Sequence, residues 1–377
     1  MKIDYREFRD LVPVTRKYKY LNHAAISPTP LPVIMESFSF MYDVSDEGTI
    51  AVNYAERDDL NYIREPVSRL INSRVEEVSL VPNTSYGINM ILHGIGLKEG
   101  DQILTDSSEF PAITSASFKL LKKGIKVKIA EVTPETFEDD IVSNLNDNVR
   151  LVAISSTSFL TGVTPDLSKV SKEAKSNNSL LLVDGIQTVG AGKIDVEENR
   201  IDFLVAGGYK WMMSPQGSGF MFVRKGLLED PPWYGWRADS TYEEFSPYKF
   251  APDKGPRRFE IGTYPMVSLI GMKKAAEIIY ENSYMIYSRV KELSKVAIDC
   301  LKDKGMDVLT PEDKRTGIVT VKVRDPKKVV EELYKKYKIV VSPRGSGIRI
   351  STHFYNTEEE VNEACEYIST LEKELQY

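Results

Sequence analysis

Lys210 ends an apolar run and opens a loop punctuated by glycine, Ala206-Gly207-Gly208-Tyr209-Lys210-Trp211 and on through Gly217 and Gly219. An amine in that setting is placed to condense with an aldehyde as a Schiff base. Upstream by 210 − 184, or 26 residues, the run Leu180-Leu181-Leu182-Val183 leads into Asp184. It reads as a fully buried strand that delivers a carboxylate at its C-terminal end, where parallel sheets build ligand sites. A carboxylate there can pair with a pyridinium nitrogen, and the interval leaves room for one loop and one further strand leading into the lysine. The two residues together point to pyridoxal phosphate (PLP).

That cofactor also needs phosphate donors, a ring partner and a cation for the substrate carboxylate. Asn83-Thr84-Ser85 follows the apolar run Val78 to Val81 and opens a helical pattern. Thr84 and Ser85 would face an anion at the helix N-terminus, or the segment is an N-cap without a ligand. Phe110, in Ser107-Ser108-Glu109-Phe110-Pro111, can stack on a pyridine face or simply pack. Gln187, three residues after Asp184, can reach the cofactor's phenolic oxygen. Arg349, in Gly347-Ile348-Arg349-Ile350-Ser351, can hold a carboxylate with two hydrogen bonds or stand exposed on a strand. Tyr209 is a polar handle beside the lysine or a packing residue. Asn22 and His23 are candidate substrate contacts, with packing the alternative for His23 and likewise for His353. The Gly207 to Gly219 segment as a nucleotide-phosphate loop is a remote rival, because it lacks the Gly-Lys-Ser/Thr order of a Walker A loop.

The elements that must position these residues alternate in type. Short β-branched runs at Val78 to Val81, Gln102 to Thr105, Lys126 to Val132, Leu151 to Ser155, Leu180 to Asp184, Ile201 to Ala206 and Gly219 to Val223 are separated by helical patterns. That alternation predicts an α/β domain over residues 15–255 with a mostly parallel seven-stranded sheet. Residues 1–14 and 256–377 are expected to form a smaller α+β domain. Between the two lies a proline- and aromatic-rich stretch from Pro231 to Pro256, whose Trp233, Trp236, Arg237 and Tyr242 are expected to shape a side-chain pocket, with a solvated Arg237 as the alternative. The 377 residues carry 49 Lys and Arg against 55 Asp and Glu, a net charge of −6 with no long basic run, which argues against nucleic acid. No apolar stretch approaches the ~20 residues of a membrane span. No secretion signal opens the chain, so a cytoplasmic protein is expected. Two cysteines and three scattered histidines give neither a disulfide framework nor a metal site.

The ordered set resembles the class V aminotransferase family of PLP enzymes, which includes cysteine desulfurases and isopenicillin N epimerase-like proteins. Its carriers are Tyr20-Leu21-Asn22-His23-Ala24-Ala25, Asn83-Thr84-Ser85, Glu109-Phe110-Pro111, Ser158-Phe159-Leu160-Thr161-Gly162, Asp184-Gly185-Ile186-Gln187, Gly207-Gly208-Tyr209-Lys210-Trp211, Arg258 to Thr263 and Arg349 to Thr357. The resemblance spans nearly the whole chain and implies the aspartate-aminotransferase-like fold, termed fold type I. It implies that Lys210 holds PLP, Asp184 pairs with its nitrogen, Gln187 meets its phenolate side and Phe110 stacks. It implies further that Thr84 and Ser85 bind the phosphate, Thr263 reaches the phosphate in a neighbouring subunit of a homodimer, and Arg349 takes the substrate carboxylate. Two departures stand out. Where desulfurases carry a reactive cysteine, this chain has Ser342-Pro343-Arg344-Gly345-Ser346-Gly347; where a hydroxyl three residues before the lysine and a histidine directly before it are common, it has Gly207 and Tyr209. The expected activity is therefore an aminotransferase acting at Cα of a small amino acid, with a cysteine-independent C–S lyase or an epimerase as alternatives.

Overall fold

In a computed structural model that describes residues 3–375, the chain forms twelve strands. Seven build one sheet in the order β2-β8-β7-β6-β5-β3-β4, with β2 Val78–Val81, β3 Gln102–Asp106, β4 Lys126–Ala130, β5 Val149–Ser155, β6 Leu180–Asp184, β7 Phe203–Gly207 and β8 Gly219–Val223. Only β8 runs against its neighbours; β3 to β7 pair in parallel. Both faces are covered by helices, so the strands are near-continuous apolar runs: every residue of β7 and β8, and of the edge strand β2, is buried. The parallel direction brings the C-terminal ends of β2, β3, β5, β6 and β7 to one rim, and Thr84, Phe110, Ser155, Asp184 and Lys210 sit at or just beyond those ends.

The second sheet is antiparallel, β11 Ser342–Arg344, β12 Gly347–Ser351 and β9 Ile318–Lys322 in that spatial order. It shares an apolar core with the helices Ser283–Asp303, Pro326–Tyr337 and Glu358–Glu374, and with Leu21 from the N-terminal segment. The N-terminal β1, Lys19–Tyr20, pairs in parallel with β10, Ile339–Val340, and Asn22 continues that contact by bridging to Ser351. The extended N-terminal segment is thereby stitched into the second domain before it enters the first.

The division of cores differs from the expected boundary at residue 255. The helix Met266–Glu281 packs on the helices Leu31–Glu47 and Asn61–Ile71 in the core of the large sheet, and Phe8 and Val12 join that core too. Its apolar residues, among them Leu269, Met272, Ala276 and Ile279, bury at helical spacing against the first domain, which periodicity alone could not assign to either partner. Residues 1, 2, 376 and 377, the ends of the expected second domain, lie outside the described residues. Among the described residues no helix is long and apolar enough to cross a membrane.

Candidate active site

Lys210 follows β7 directly and is buried, with Nζ 5.5 Å from the Phe110 ring centre and 5.9 Å from that of Tyr209. Burial drives its pKa down to about 8; the nearby Asp184 opposes the shift, while Arg349 and Arg344 add to it. A lysine so placed has a substantial neutral fraction near neutral pH, which is the nucleophilic form. The segment after it is held by a close approach: Gly190, at φ +98°, lies so near the Trp211 carbonyl that a Cβ would collide with the backbone.

Asp184 is 1% exposed and accepts from the Ile186 amide at 2.9 Å. Desolvation raises its pKa to about 6, partly countered by that hydrogen bond and by Lys210. The group is still largely ionised at neutral pH, and a desolvated carboxylate gains most from an incoming cation such as a protonated ring nitrogen. Gln187 is anchored at both ends: Nε2 donates to the Ala24 carbonyl at 3.1 Å and Oε1 accepts from Trp211 Nε1 at 3.0 Å. This fixes which way the amide faces and leaves it one further hydrogen to donate.

On the opposite side, Thr84 is the first residue of the helix Thr84–Gly94, whose N-cap Asn83 accepts from Tyr86 N through its side chain. Thr84 Oγ1 accepts from Gly207 N at 2.9 Å, so the helix start and the lysine loop are tied together while the hydroxyl hydrogen stays available. Ser85 is exposed and lines an open cleft of about 950 Å³ together with Asn83, Phe110 and Trp233. The structure accounts for the missing hydroxyl at Gly207: a Cβ there would approach Tyr209 Cε1 to 3.1 Å, so the tyrosine ring occupies the space the side chain would use. Tyr209 is half-buried, and its pKa is raised by burial and by Asp184.

Arg349 is 1% exposed, and Nη1 donates to the Phe159 carbonyl at 3.0 Å. Its Nε and Nη2 have no partner. Burial, reinforced by Arg344, lowers its pKa to about 9, so it is still a cation at neutral pH. Unpaired buried guanidinium nitrogens are costly and call for an anion.

Most other residues named from the sequence are committed to partners elsewhere in the fold. His23 is fully buried, bonded through Nδ1 to Ser27 Oγ at 3.0 Å and ringed by Tyr20, Trp211, His353 and Tyr355. Burial holds its pKa well below the usual histidine range. His23 is thus enclosed by aromatic packing with its Nε2 left without a hydrogen-bond partner; His353, whose Nε2 bonds the Trp211 carbonyl at 2.9 Å, packs beside it. Asn22 is half-buried, with Oδ1 accepting from Ser342 Oγ across the domain junction. Thr263 is exposed and faces away from its own chain's core. Arg237 is neither solvated nor free: it is buried, pairs with Glu56 at 2.6 Å and stacks over Tyr264. Arg257 is likewise committed, to Asp59 and Asp253.

One residue was missed by the sequence reasoning. Glu109 accepts from Ser155 N and Ser155 Oγ, each at 2.6 Å, and from Phe110 N, fastening the Phe110 loop to the end of β5. Its pKa is pushed well up, by burial first and by Asp106 and Asp184 after that. Its place directly before Phe110 was the available signal.

The residues fit PLP: a buried amine of lowered pKa, a desolvated carboxylate, a hydroxyl at a helix N-terminus and a part-exposed aromatic ring stand around one rim, with an unsatisfied guanidinium across from them.

Comparison with known proteins agrees. The family model described as aminotransferase class-V matches residues 19–363. A probable cysteine desulfurase of Methanothermobacter thermautotrophicus is 26% identical, covering 93% of this chain and 94% of its own. The uncharacterized aminotransferase YcbU of Bacillus subtilis is 25% identical over 96% of this chain and 97% of its own. Among solved structures, a cysteine desulfurase from Thermococcus onnurineus NA1 superposes with TM-score 0.88 at 24% identity, covering 99% of both chains. The cystine C–S lyase C-DES, in complex with cysteine persulfide, superposes with TM-score 0.87 at 20% identity over 95% of this chain and 99% of its own.

Proposed function

The chain belongs to the class V aminotransferases, PLP-dependent enzymes of fold type I, and from that premise we propose that it is an aminotransferase acting at Cα of a small amino acid. Bound through its aldehyde to Lys210, the cofactor supplies an electron sink for negative charge at Cα. Asp184 keeps the ring nitrogen protonated, because a buried carboxylate loses its desolvation penalty most fully against a cation. Thr84 and Ser85 take the phosphate at the helix start, Gln187 donates to the phenolic oxygen and Phe110 covers a ring face, with Tyr209 closing the space beside Gly207. Arg349 orients the substrate through its carboxylate. Lys210 would move the Cα proton of the substrate, burial having brought its pKa near working pH. Asn22, at the domain junction, is placed to contact the substrate beside Arg349.

The observation that carries the reading is the pairing of Lys210 at lowered pKa with Arg349, a buried cation lacking an anion. A thiol-dependent desulfurase is disfavoured, because Ser342 to Gly347 supplies no cysteine and the two that exist, Cys300 and Cys365, lie in the helices of the second domain's core. A cysteine-independent C–S lyase is the second reading, favoured by the likeness to C-DES. Amino acids added singly to the PLP-loaded protein distinguish the two: transamination converts an added keto acid, whereas elimination yields pyruvate from cysteine or cystine alone. An unaided release of pyruvate would overturn the first reading.

We also propose a homodimer that works in the cytoplasm. Met35, Phe38 and Tyr42 form an exposed stripe on the helix Leu31–Glu47, extended by Ile50 and Tyr54 on the next helix, and such a surface needs a partner. Thr263 is free to reach the other subunit's phosphate in that assembly.

A further inference from the structure

The hairpin joining β11 to β12 presents a second cation that the proposed chemistry does not use. Ser342 lies opposite Arg349, and Arg344 opposite Gly347. Directly opposed residues share a sheet face, and alternate residues along a strand return to it. Ser342, Arg344 and Arg349 therefore project from one face. That face looks towards the large domain: Arg349 reaches the Phe159 carbonyl, and Thr320, opposite Arg349 in β9, donates to the Leu160 carbonyl at 2.8 Å. The hairpin tip meets the same loop, since a Cβ on Gly345 would lie 3.1 Å from Leu160 Cδ1.

Arg344 is half-buried and its side chain donates only to the adjoining Pro343 carbonyl, at 2.7 Å. Its lowered pKa has burial as the single cause, with no carboxylate of the described residues acting on it. Both Lys210 and Arg349 feel its charge. Two guanidinium cations, Arg344 and Arg349, thus stand near Lys210, while Asp184 is committed in the reading above to the ring nitrogen and Glu109 to Ser155 and Phe110. The cofactor phosphate does not balance them, because it is assigned to Thr84 and Ser85. One substrate carboxylate satisfies Arg349 and leaves Arg344 unmatched.

We propose that Arg344 determines specificity by holding a second carboxylate on the substrate's side chain, so that the enzyme takes dicarboxylic amino acids and their keto acids. The inference rests on the site reading above and deepens it. A guanidinium suits this task because its planar fork matches a carboxylate with two hydrogen bonds.

The test uses the PLP-loaded protein and unreactive acids that lack an amine: succinate and glutarate against propionate, titrated by calorimetry and by the shift of the cofactor's absorbance band. The native protein should bind one of the dicarboxylates at least about tenfold more tightly than propionate. Arg344→Met should weaken that dicarboxylate by about 10- to 100-fold while leaving propionate within about twofold, and Arg344→Lys should recover part of the loss. Absence of a dicarboxylate preference in the native protein, or equal weakening of both kinds of acid in Arg344→Met, overturns the inference. A protein that never develops the cofactor band fails the site reading itself, and the inference falls with it.

Discussion

Two arginines of this chain are almost equally buried, and their surroundings are opposite. Arg64, in the helix Asn61–Ile71, meets both oxygens of Glu260 through Nη2, at 2.8 and 2.7 Å. Glu260 in turn accepts from the Leu80 amide and the Tyr264 hydroxyl, so its carboxylate is fully engaged, although Arg64 Nε has no partner. Arg349 has one carbonyl and no acid. A buried charge bonded to an acid is architecture, fastening the segment that carries Thr263 to β2; one without an acid is held ready for a ligand by the strands around it. Folding tolerates the second because the rest of the domain core provides the stability that this position gives up.

The contrast can be broken by removing one partner at each place. Glu260→Gln leaves Arg64 buried without its counter-charge and should destabilise the protein by about 3–5 kcal/mol in denaturant unfolding. Arg349→Met loses the bond to the Phe159 carbonyl but also relieves a desolvated cation, and should change stability by no more than about 1 kcal/mol while abolishing carboxylate binding. Equal destabilisation by the two substitutions would erase the distinction.

Asp184 sharpens the same contrast. Its folded pKa, about 6, stands above the ordinary aspartate value of 3.8, so the ionised form carries a penalty that is absent below the unfolded value and complete above about 6. The apoprotein with Asp184→Asn should therefore be as stable as the parent or more so at pH 8, by up to about 3 kcal/mol, while its affinity for PLP falls. A less stable apoprotein would mean that Asp184 is structural. Lys210 shows the converse sign. With its folded pKa lowered to about 8 against 10.5, its contribution makes the apoprotein more stable as pH rises from about 8 to about 10.5, and the amine is already neutral above about 8. Uptake of PLP, followed by absorbance, should accelerate with pH through a midpoint near 8 and level about one unit above it; a midpoint near 10 would contradict the shift. The smallest effect belongs to Phe110→Ala, which should weaken PLP by about 0.5–1.5 kcal/mol, the worth of one aromatic stack.

What could be read from the sequence follows from which interactions are local. All seven strands of the large sheet were legible as short apolar runs, the edge strand β4 being mostly uncovered and ending at Ala130 rather than Val132. Lys210 and Asp184 were legible because each ends such a run. The ion pair of Arg64 with Glu260 joins residues 196 positions apart, and that of Arg237 with Glu56 joins residues 181 apart; neither leaves a local pattern. His23 looked like a site residue because a histidine beside the first strand has no local reason to be buried; its aromatic cage comes from Trp211 and from His353 and Tyr355, far along the chain. Alternation marked Arg349 as out of place on its strand, but only the absent acid separates it from Arg64.

The most direct test of the central claim is the absorbance spectrum of the purified protein after incubation with PLP, with Lys210→Ala measured alongside. The account predicts a yellow band in the native protein that is lost in Lys210→Ala and that bleaches when an amino acid is added alone. A colourless native protein, or a band unchanged by the substitution, would contradict it.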